Sequence, residues 1–230
     1  MKIVVFTGAG ISRESGIATF RDSDGLWADN RIEDVCTPEA LAKNRARVIE
    51  FYNTRRKEIL SKEPNKAHIA LAELEKFYDV EIITQNIDDL HERAGSTKVT
   101  HLHGEIRKLR SSVNVSATVP IDGWEQNLDT KHPDGSLLRP FVVFFGEGVP
   151  MMDRAVEIIK DADLLIITGT SLQVYPAAGL IYYLRKDVPI YIVDPNTPSN
   201  YLENNTINII NESAAAGIPK VVKELMDNVK

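Results

Sequence analysis

Four short stretches hold side chains whose types and spacing could do chemistry. TQNIDDL, residues 84–90, sets Gln85, Asn86 and Asp88 directly after an apolar run, so two amides and a carboxylate meet where a strand would end. HLHGE, residues 101–105, sets His103 before a glycine, where an imidazole can act as general base near neutral pH. GTSLQ, residues 169–173, offers the Thr170 and Ser171 hydroxyls after Gly169, types that suit a phosphate or a ribose. VVFTGAGISRESG, residues 4–16, places Gly8 and Gly10 where small residues would let the backbone approach a pyrophosphate at a helix N-terminus. Ordinary local structure competes with each reading. Asx turns and N-caps account for Asn86 or Asp88, capping accounts for Thr170 or Ser171, and a plain strand-to-helix turn accounts for GAGIS. None of these explains Gln85. His101, two residues before His103, is read as structural.

The glycine loop is a poor dehydrogenase fingerprint. A G-x-G-x-x-G pattern needs a third glycine where this chain has Arg13, and an acidic residue at the end of a second strand about 20 positions on. No strand pattern follows until residue 80, so Glu33 and Asp34 sit in a helical context. The phosphate-cradling half of the fingerprint survives; the hydride-transfer half does not.

The elements that would position these residues are legible as alternation. Apolar runs suited to buried strands occur at 2–6, 80–84, 98–103, 141–145, 163–169, 190–194 and 207–210, with helical patterns between most of them, the clearest at NKAHIALAELEKFY (65–78). Strands alternating with helices predict an α/β fold with a doubly wound, mainly parallel sheet, whose ligands lie beyond the carboxyl ends of the strands. That rule selects the loops at 7–12, 85–88, 103–105, 169–173 and 194–196. Two stretches, 13–64 and 105–140, interrupt the alternation and are expected to form a small second lobe over the strand ends, making a cleft.

Composition narrows the class. At 230 residues and 43% hydrophobic the chain suits one α/β domain with a small insertion. A net charge of −6 supplies no basic field for nucleic acid. Cys36 is the only cysteine, which excludes an internal disulfide and an all-cysteine zinc site and points to a reducing compartment. It is read as a small buried residue before a helix. With no leader pattern and no apolar run near the ~18 residues of a membrane span, a cytoplasmic protein without membrane contact is expected.

Taken together, GAGIS (8–12), FRDSDGLW (20–27), TQNID (84–88), LHG (102–104), RPFVVFFGE (139–147), GTSLQVYPAA (169–178) and VDPN (193–196) resemble the sirtuin family, in the family's order and over nearly the whole chain. The resemblance implies a single catalytic domain. It has a Rossmann-like large lobe of about 1–20, 65–104 and 139–230 and a small lobe of about 21–64 and 105–138, helices covering both faces of the sheet. It further implies an NAD-dependent protein-lysine deacylase. Gly8, Ala9, Gly10, Ser12, Phe20 and Arg21 would surround the dinucleotide, with Gln85, Asn86, Ile87 and Asp88 at the nicotinamide and its ribose. Gly169, Thr170 and Ser171 would hold phosphate or adenosine ribose, and Asp194, Asn196 and Ala214 would lie near the adenine. His103 would be the general base on the ribose hydroxyls, Asn86 and Asp88 would share the catalytic work, and Phe145, Gly146 and Glu147 would line the peptide channel. The products implied are nicotinamide and O-acyl-ADP-ribose. The partners implied are acylated lysines of proteins, and the oligomeric state stays open, with a monomer favoured.

Two features qualify the match. Tyr52 and Arg55, three apart and so on one helical face, read by themselves as part of a solvated surface. Within the resemblance they match the pair by which class III sirtuins hold an acyl carboxylate, so succinyl, malonyl or glutaryl groups are expected above acetyl. The family's two C-x-x-C pairs are absent: RKLRSSVNVS has serine and asparagine where the first would fall, and DTKHPDGSL has no cysteine. No metal is expected, and the small lobe would fold on Val113, Val115, Val119 and Trp124. An NAD glycohydrolase or ADP-ribosyltransferase of the same fold remains an alternative, as does a nucleotide-binding module without turnover.

Overall fold

The computed structural model of the protein describes residues 1–19, 30–196 and 207–228. Its centre is a six-stranded, wholly parallel sheet of β1 (Lys2–Thr7), β2 (Asp79–Thr84), β3 (Val99–His101), β7 (Leu164–Thr168), β8 (Ile190–Val193) and β9 (Ile207–Ile210), in the order β3-β2-β1-β7-β8-β9. The chain reverses its direction of sheet growth between β1 and β7, so the loops leaving those two strands and β2 open the crevice in which such sheets bind ligands.

Alternation along β1 explains why the strand is apolar throughout. Ile3 and Val5 face one core with Leu71 and Leu74 of α5 (Lys66–Leu74) and Ile218 and Val221 of α8 (Ala214–Asp227). Val4 and Phe6 face a second core with Ile158 and Ile159 of α7 (Met152–Lys160) and Leu180 of a 3-10 segment, Ala177–Tyr183. Both faces of the sheet are therefore covered by helix, as a doubly wound fold requires. α5 starts with a capping box: Asn65 accepts from Ala67 N, and His68 Nδ1 accepts from Asn65 N.

A second, antiparallel sheet of β5 (Thr118–Pro120), β4 (Gly104–Ser111) and β6 (Leu138–Val142) stands apart in the order β5-β4-β6. This corrects three expectations. The strand expected at 141–145 runs instead over 138–142 and pairs with β4, so the segment from 139 belongs with the small sheet and not with the parallel one. β4 and β5 lie within a stretch whose hydrophobic pattern gave no strand. The core of this sheet is Leu109, Ile121 and Leu138 with Val119, whereas Val113 and Val115 are 79% and 51% exposed and Trp124 is also largely at the surface.

Residues 30–64 are helical: α2 (Ile32–Val35), α3 (Pro38–Lys43) and α4 (Arg45–Leu60). α4 buries Val48, Phe51, Tyr52 and Ile59 against Val35, Cys36, Leu90, Ile106, Val142 and Phe144, and so welds the helices to the small sheet. Tyr52 and Arg55 lie on this buried face, which rules out the solvated-surface reading for them. No helix among the described residues is long and apolar enough to cross a membrane.

Candidate active site

The loops after β1 and β7 interlock. Gly10 N donates to Gly169 O at 2.9 Å and Gly8 N to Thr168 O at 3.2 Å. A Cβ on Gly10 would lie 2.7 Å from Gly169 Cα, and one on Gly169, whose φ is +65°, would lie 2.3 Å from Ile11 N. The glycines are thus demanded first by the approach of two backbones to one another, ahead of any ligand. α1 (Gly10–Arg13) begins inside this contact and turns Ser12 inward.

Ser12 meets the loop after β2. Its hydroxyl donates to Asp88 Oδ2 at 3.0 Å, while Asn86 Nδ2 donates to Gly8 O at 3.1 Å and to Ser12 Oγ at 3.2 Å. Gln85 donates from its backbone to Thr7 O and from Nε2 to Thr170 Oγ1, both at 2.9 Å. Gln85, Asn86, Asp88, Ser12, Gly8 and Thr170 therefore form one connected polar patch at the strand ends. Burial pushes the Asp88 carboxyl above its usual range, against the opposing pull of Leu90 N, the Ser12 hydroxyl and the charge of His101. Ile87 accepts Ile106 N at its carbonyl and packs toward the helical cluster.

His103 stands beside this patch. Its Nδ1 is 2.9 Å from Gln85 O, and a carbonyl only accepts, so Nδ1 carries the hydrogen and Nε2 presents a lone pair. Burial lowers its pKa, outweighing the Gln85 bond, so the ring is neutral near pH 7. The neighbouring His101 is different: both nitrogens face acceptors, Asn86 O and Glu92 Oε1, each at 2.8 Å.

Toward β8 and α8 the remaining expected residues are spread along the same edge. Asp194 Oδ1 accepts Asn196 N at 2.9 Å. Ala214 opens α8 with its side chain in the first core cluster. Glu14, which no sequence pattern singled out, ties this helix to the glycine loop by accepting from Ser213 Oγ at 2.9 Å and Ala215 N at 2.8 Å. Phe20 and Arg21 lie outside the described residues.

On the other flank, Phe145 is exposed and donates from its backbone to Cys36 O, and Gly146 has a φ of +91°. Glu147 does not present a free carboxylate: it accepts from Arg110, Arg139 and Phe144 N, with Arg139 also stacked over the Phe144 ring. Tyr52 stacks on the far side of the same cluster against Phe144, its hydroxyl 3.1 Å from Cys36 Sγ. Arg55 donates to Glu58 Oε2 at 3.0 Å and Ala18 O at 3.3 Å. Arg110 escaped sequence reasoning because its partner lies 37 residues away, and Arg139 and Glu92 because their partners Glu147 and His101, 8 and 9 residues on, are brought back by loops with no pairing pattern.

At the positions of the family's zinc cysteines the donors do not fit the metal. Ser111 Oγ is taken up by Ser136 Oγ at 2.8 Å and by the N–H groups of Val113 and Asn114. Among the described residues no three His, Cys, Asp or Glu side chains converge to hold an ion.

A doubly wound parallel sheet with a polar patch at its switch point, a neutral histidine after the neighbouring edge strand and a small helical and antiparallel lobe defines a Rossmann-like nucleotide site. The Sir2 family model matches residues 8–176. The chain is 54% identical over 198 residues to an NAD-dependent protein deacylase of Aggregatibacter actinomycetemcomitans, covering 86% of this chain and 95% of that one. It is 49% identical to the Helicobacter pylori NAD-dependent protein deacylase, over 98% and 97% of the two chains. Among solved structures, a Sir2 homologue mutant in complex with ADP-ribose superposes with a TM-score of 0.88 at 38% identity, over 99% of this chain and 93% of that one. A Sir2 homologue–NAD complex does so at 0.87 and 37%, over 100% and 91%. The chain belongs to the Sir2 family, the sirtuins.

Proposed function

We propose that this chain, an NAD-dependent protein deacylase of the Sir2 family, preferentially removes acyl groups that end in a carboxylate, succinyl and malonyl, from protein lysines, with acetyl as a poorer substrate. The products are nicotinamide and O-acyl-ADP-ribose. The large lobe binds NAD, and the small lobe of α2 to α4 and the antiparallel sheet closes over the acyl-lysine.

The observation that carries the catalytic assignment is His103, neutral, with Nδ1 committed to the carbonyl of Gln85, the residue before Asn86, and Nε2 without a partner among the described residues. The donor set suits the ligand. Carboxylate, amides and hydroxyl fit the nicotinamide and its ribose, while Gly8, Ala9, Gly10, Gly169, Thr170 and Ser171 offer small residues and hydroxyls for the phosphates and adenosine ribose. Asp194, Asn196 and Ala214 are assigned to the adenine end, and Phe20 and Arg21, outside the described residues, are assigned to the dinucleotide by the family pattern alone. NAD, when bound, supplies a ribose carbon whose bond to nicotinamide can be broken. Asn86 and Asp88 would orient that end while the acyl-lysine carbonyl oxygen takes the place of departing nicotinamide on the ribose carbon. His103 Nε2 would take a proton from a ribose hydroxyl so that its oxygen can attack the acyl carbon, water then releasing the lysine amine and O-acyl-ADP-ribose. Positioned base catalysis of this kind is worth about 10²–10⁴ in rate.

The acyl preference is supported by Tyr52 and Arg55, buried one helical turn apart on α4, Tyr52 stacked on Phe144 and Arg55 held by Glu58 and Ala18 O. A guanidinium with a phenol hydroxyl near it suits a carboxylate better than a methyl group. The test is a product assay with NAD and matched succinyl-, malonyl- and acetyl-lysine peptides. A higher kcat/KM for the acidic acyl groups supports the proposal, and equal or better deacetylation overturns it. Nicotinamide released at the same rate without peptide would instead identify a glycohydrolase.

A further inference from the structure

His101 ends β3 with its side chain buried, and both of its ring nitrogens are engaged by acceptors from the segment between β2 and β3. Nδ1 lies 2.8 Å from the Asn86 carbonyl, and Nε2 lies 2.8 Å from Oε1 of Glu92 on α6 (Leu90–Ala94). A carbonyl and a carboxylate both accept, so each nitrogen carries a hydrogen and the ring is an imidazolium. A buried cation needs compensation, and the groups facing it supply that. Glu92 pairs with it directly, Glu105 of β4 and the buried Asp88 add negative potential, and His91, the basic group beside it, is kept neutral by its own burial. Burial pulls the His101 pKa down, but the bond and charge of Glu92 and the Asn86 carbonyl outweigh it, so the ring titrates above the ordinary histidine value.

Residue 86 is consequently held at three points. Its N–H donates to Thr84 Oγ1 at 3.1 Å, its carbonyl accepts from His101, and its side chain donates to Gly8 O and Ser12 Oγ. Asp88, two residues on, takes the Ser12 hydroxyl and Leu90 N. Without His101 the Asn86 carbonyl loses its donor and Asp88 loses the nearest charge opposing its burial.

We propose that His101 and Glu92 are positioning residues: a buried imidazolium held by a carboxylate at the protein surface, the pair fixing Asn86 and electrostatically balancing Asp88 at the nicotinamide end of the site. His101 is then a fixed cation under the loop, whereas His103 beside it is the mobile-proton base. The inference rests on the assignment of Asn86 and Asp88 made above.

Two measurements on the full chain test it. In 15N-detected histidine spectra of the wild-type protein at pH 6.5, the ordinary histidine midpoint, His101 should be mainly doubly protonated while the His103 ring is mainly neutral. A neutral His101 overturns the pair whatever any variant does. In kinetics, Glu92→Gln and His101→Leu should raise KM for NAD and slow nicotinamide exchange about tenfold, the worth of a charge-assisted hydrogen bond, with KM for the acyl peptide within about twofold of wild type. His101→Asn, whose amide can occupy the Nδ1 position, should recover part of the loss. Native NAD kinetics in Glu92→Gln, or a loss spread equally over NAD and peptide KM, overturns the proposal. Asn86→Ala separates the two levels: if it cleaves NAD at the native rate, the assignment of the nicotinamide end has failed, and if it is crippled while Glu92→Gln is native, only the positioning pair has.

Discussion

His101 and His103, two residues apart, donate from Nδ1 to the carbonyls of two consecutive residues, Asn86 and Gln85, at 2.8 and 2.9 Å. The second nitrogen decides their roles. Glu92 takes His101 Nε2, whereas His103 Nε2 has no partner among the described residues.

His103→Ala should therefore lose about 10²–10⁴ in turnover while NAD binding, followed by calorimetry, is kept. The base must be unprotonated to work, and burial depresses its pKa. The acid limb of kcat/KM should accordingly fall below the ordinary histidine value of about 6.5, with activity declining only as pH drops through that lower pKa. A limb above pH 7 contradicts the assignment, as does an alanine variant that deacylates at the native rate.

Arg55 and Glu58 form an (i, i+3) ion pair at 3.0 Å, so an acyl carboxylate bound as proposed would have to share the guanidinium with one already present. Glu58→Gln should lower KM for succinyl-lysine several-fold and leave acetyl-lysine unchanged, because removing a competing carboxylate from a partly buried pair is worth on the order of 1 kcal/mol. Arg55→Met should do the reverse, abolishing the preference while retaining deacetylation. Parallel changes on both acyl groups would show that the pair serves the fold only.

How much was legible follows from which contacts are local. The parallel strands announced themselves as apolar runs, and the switch-point rule then located Gly8, Gln85, His103 and Thr170 at one edge. The antiparallel sheet did not: β4 reads GEIRKLRS, where its buried positions include Arg110 and Ser111, and β5 is three residues long. Arg110 earns its burial from Glu147, 37 residues away, and that partnership has no sequence signature. The same is true of Glu92 with His101 and of Glu14 with the start of α8. For the glycine loop, spacing singled out Gly8 and Gly10 for a ligand, and the structure assigns their smallness first to contact between two loops.

His68 gives the fold an acid weakness. It is fully buried, stacks edge-on with His91 at 4.9 Å, and burial lowers its pKa to about 4. The unfolded chain binds that proton near pH 6.5 and the native state does not until about 4, so stability is fully present above 6.5 and falls as pH drops toward 4. The shift corresponds to about 3 kcal/mol across that window. Urea denaturation at several pH values should show the decline. His68→Gln, which keeps an acceptor for the capping box without a titrating ring, should flatten it. An unchanged slope in that variant would locate the acid sensitivity elsewhere.

The small lobe should not depend on metal. Ser111 stands in the first cysteine segment and spends its hydroxyl on Val113 N, Asn114 N and Ser136 Oγ, while Asp134 accepts Ser136 N at 2.8 Å. These bonds close the turns before and after β5 that thiolates on zinc would otherwise join, and the apolar residues Leu109, Ile121 and Leu138 fill the space beneath. Exhaustive chelation should leave Tm and deacylation unchanged. Ser111→Ala, which removes the acceptor of two backbone donors in an exposed turn, should cost about 0.5–1.5 kcal/mol and lower Tm by a few degrees. One tight zinc per chain in the purified protein, or unfolding of the lobe on chelation, would contradict this account. So would a Ser111→Ala protein as stable as wild type, since the hydrogen bonds would then contribute nothing to holding the turns.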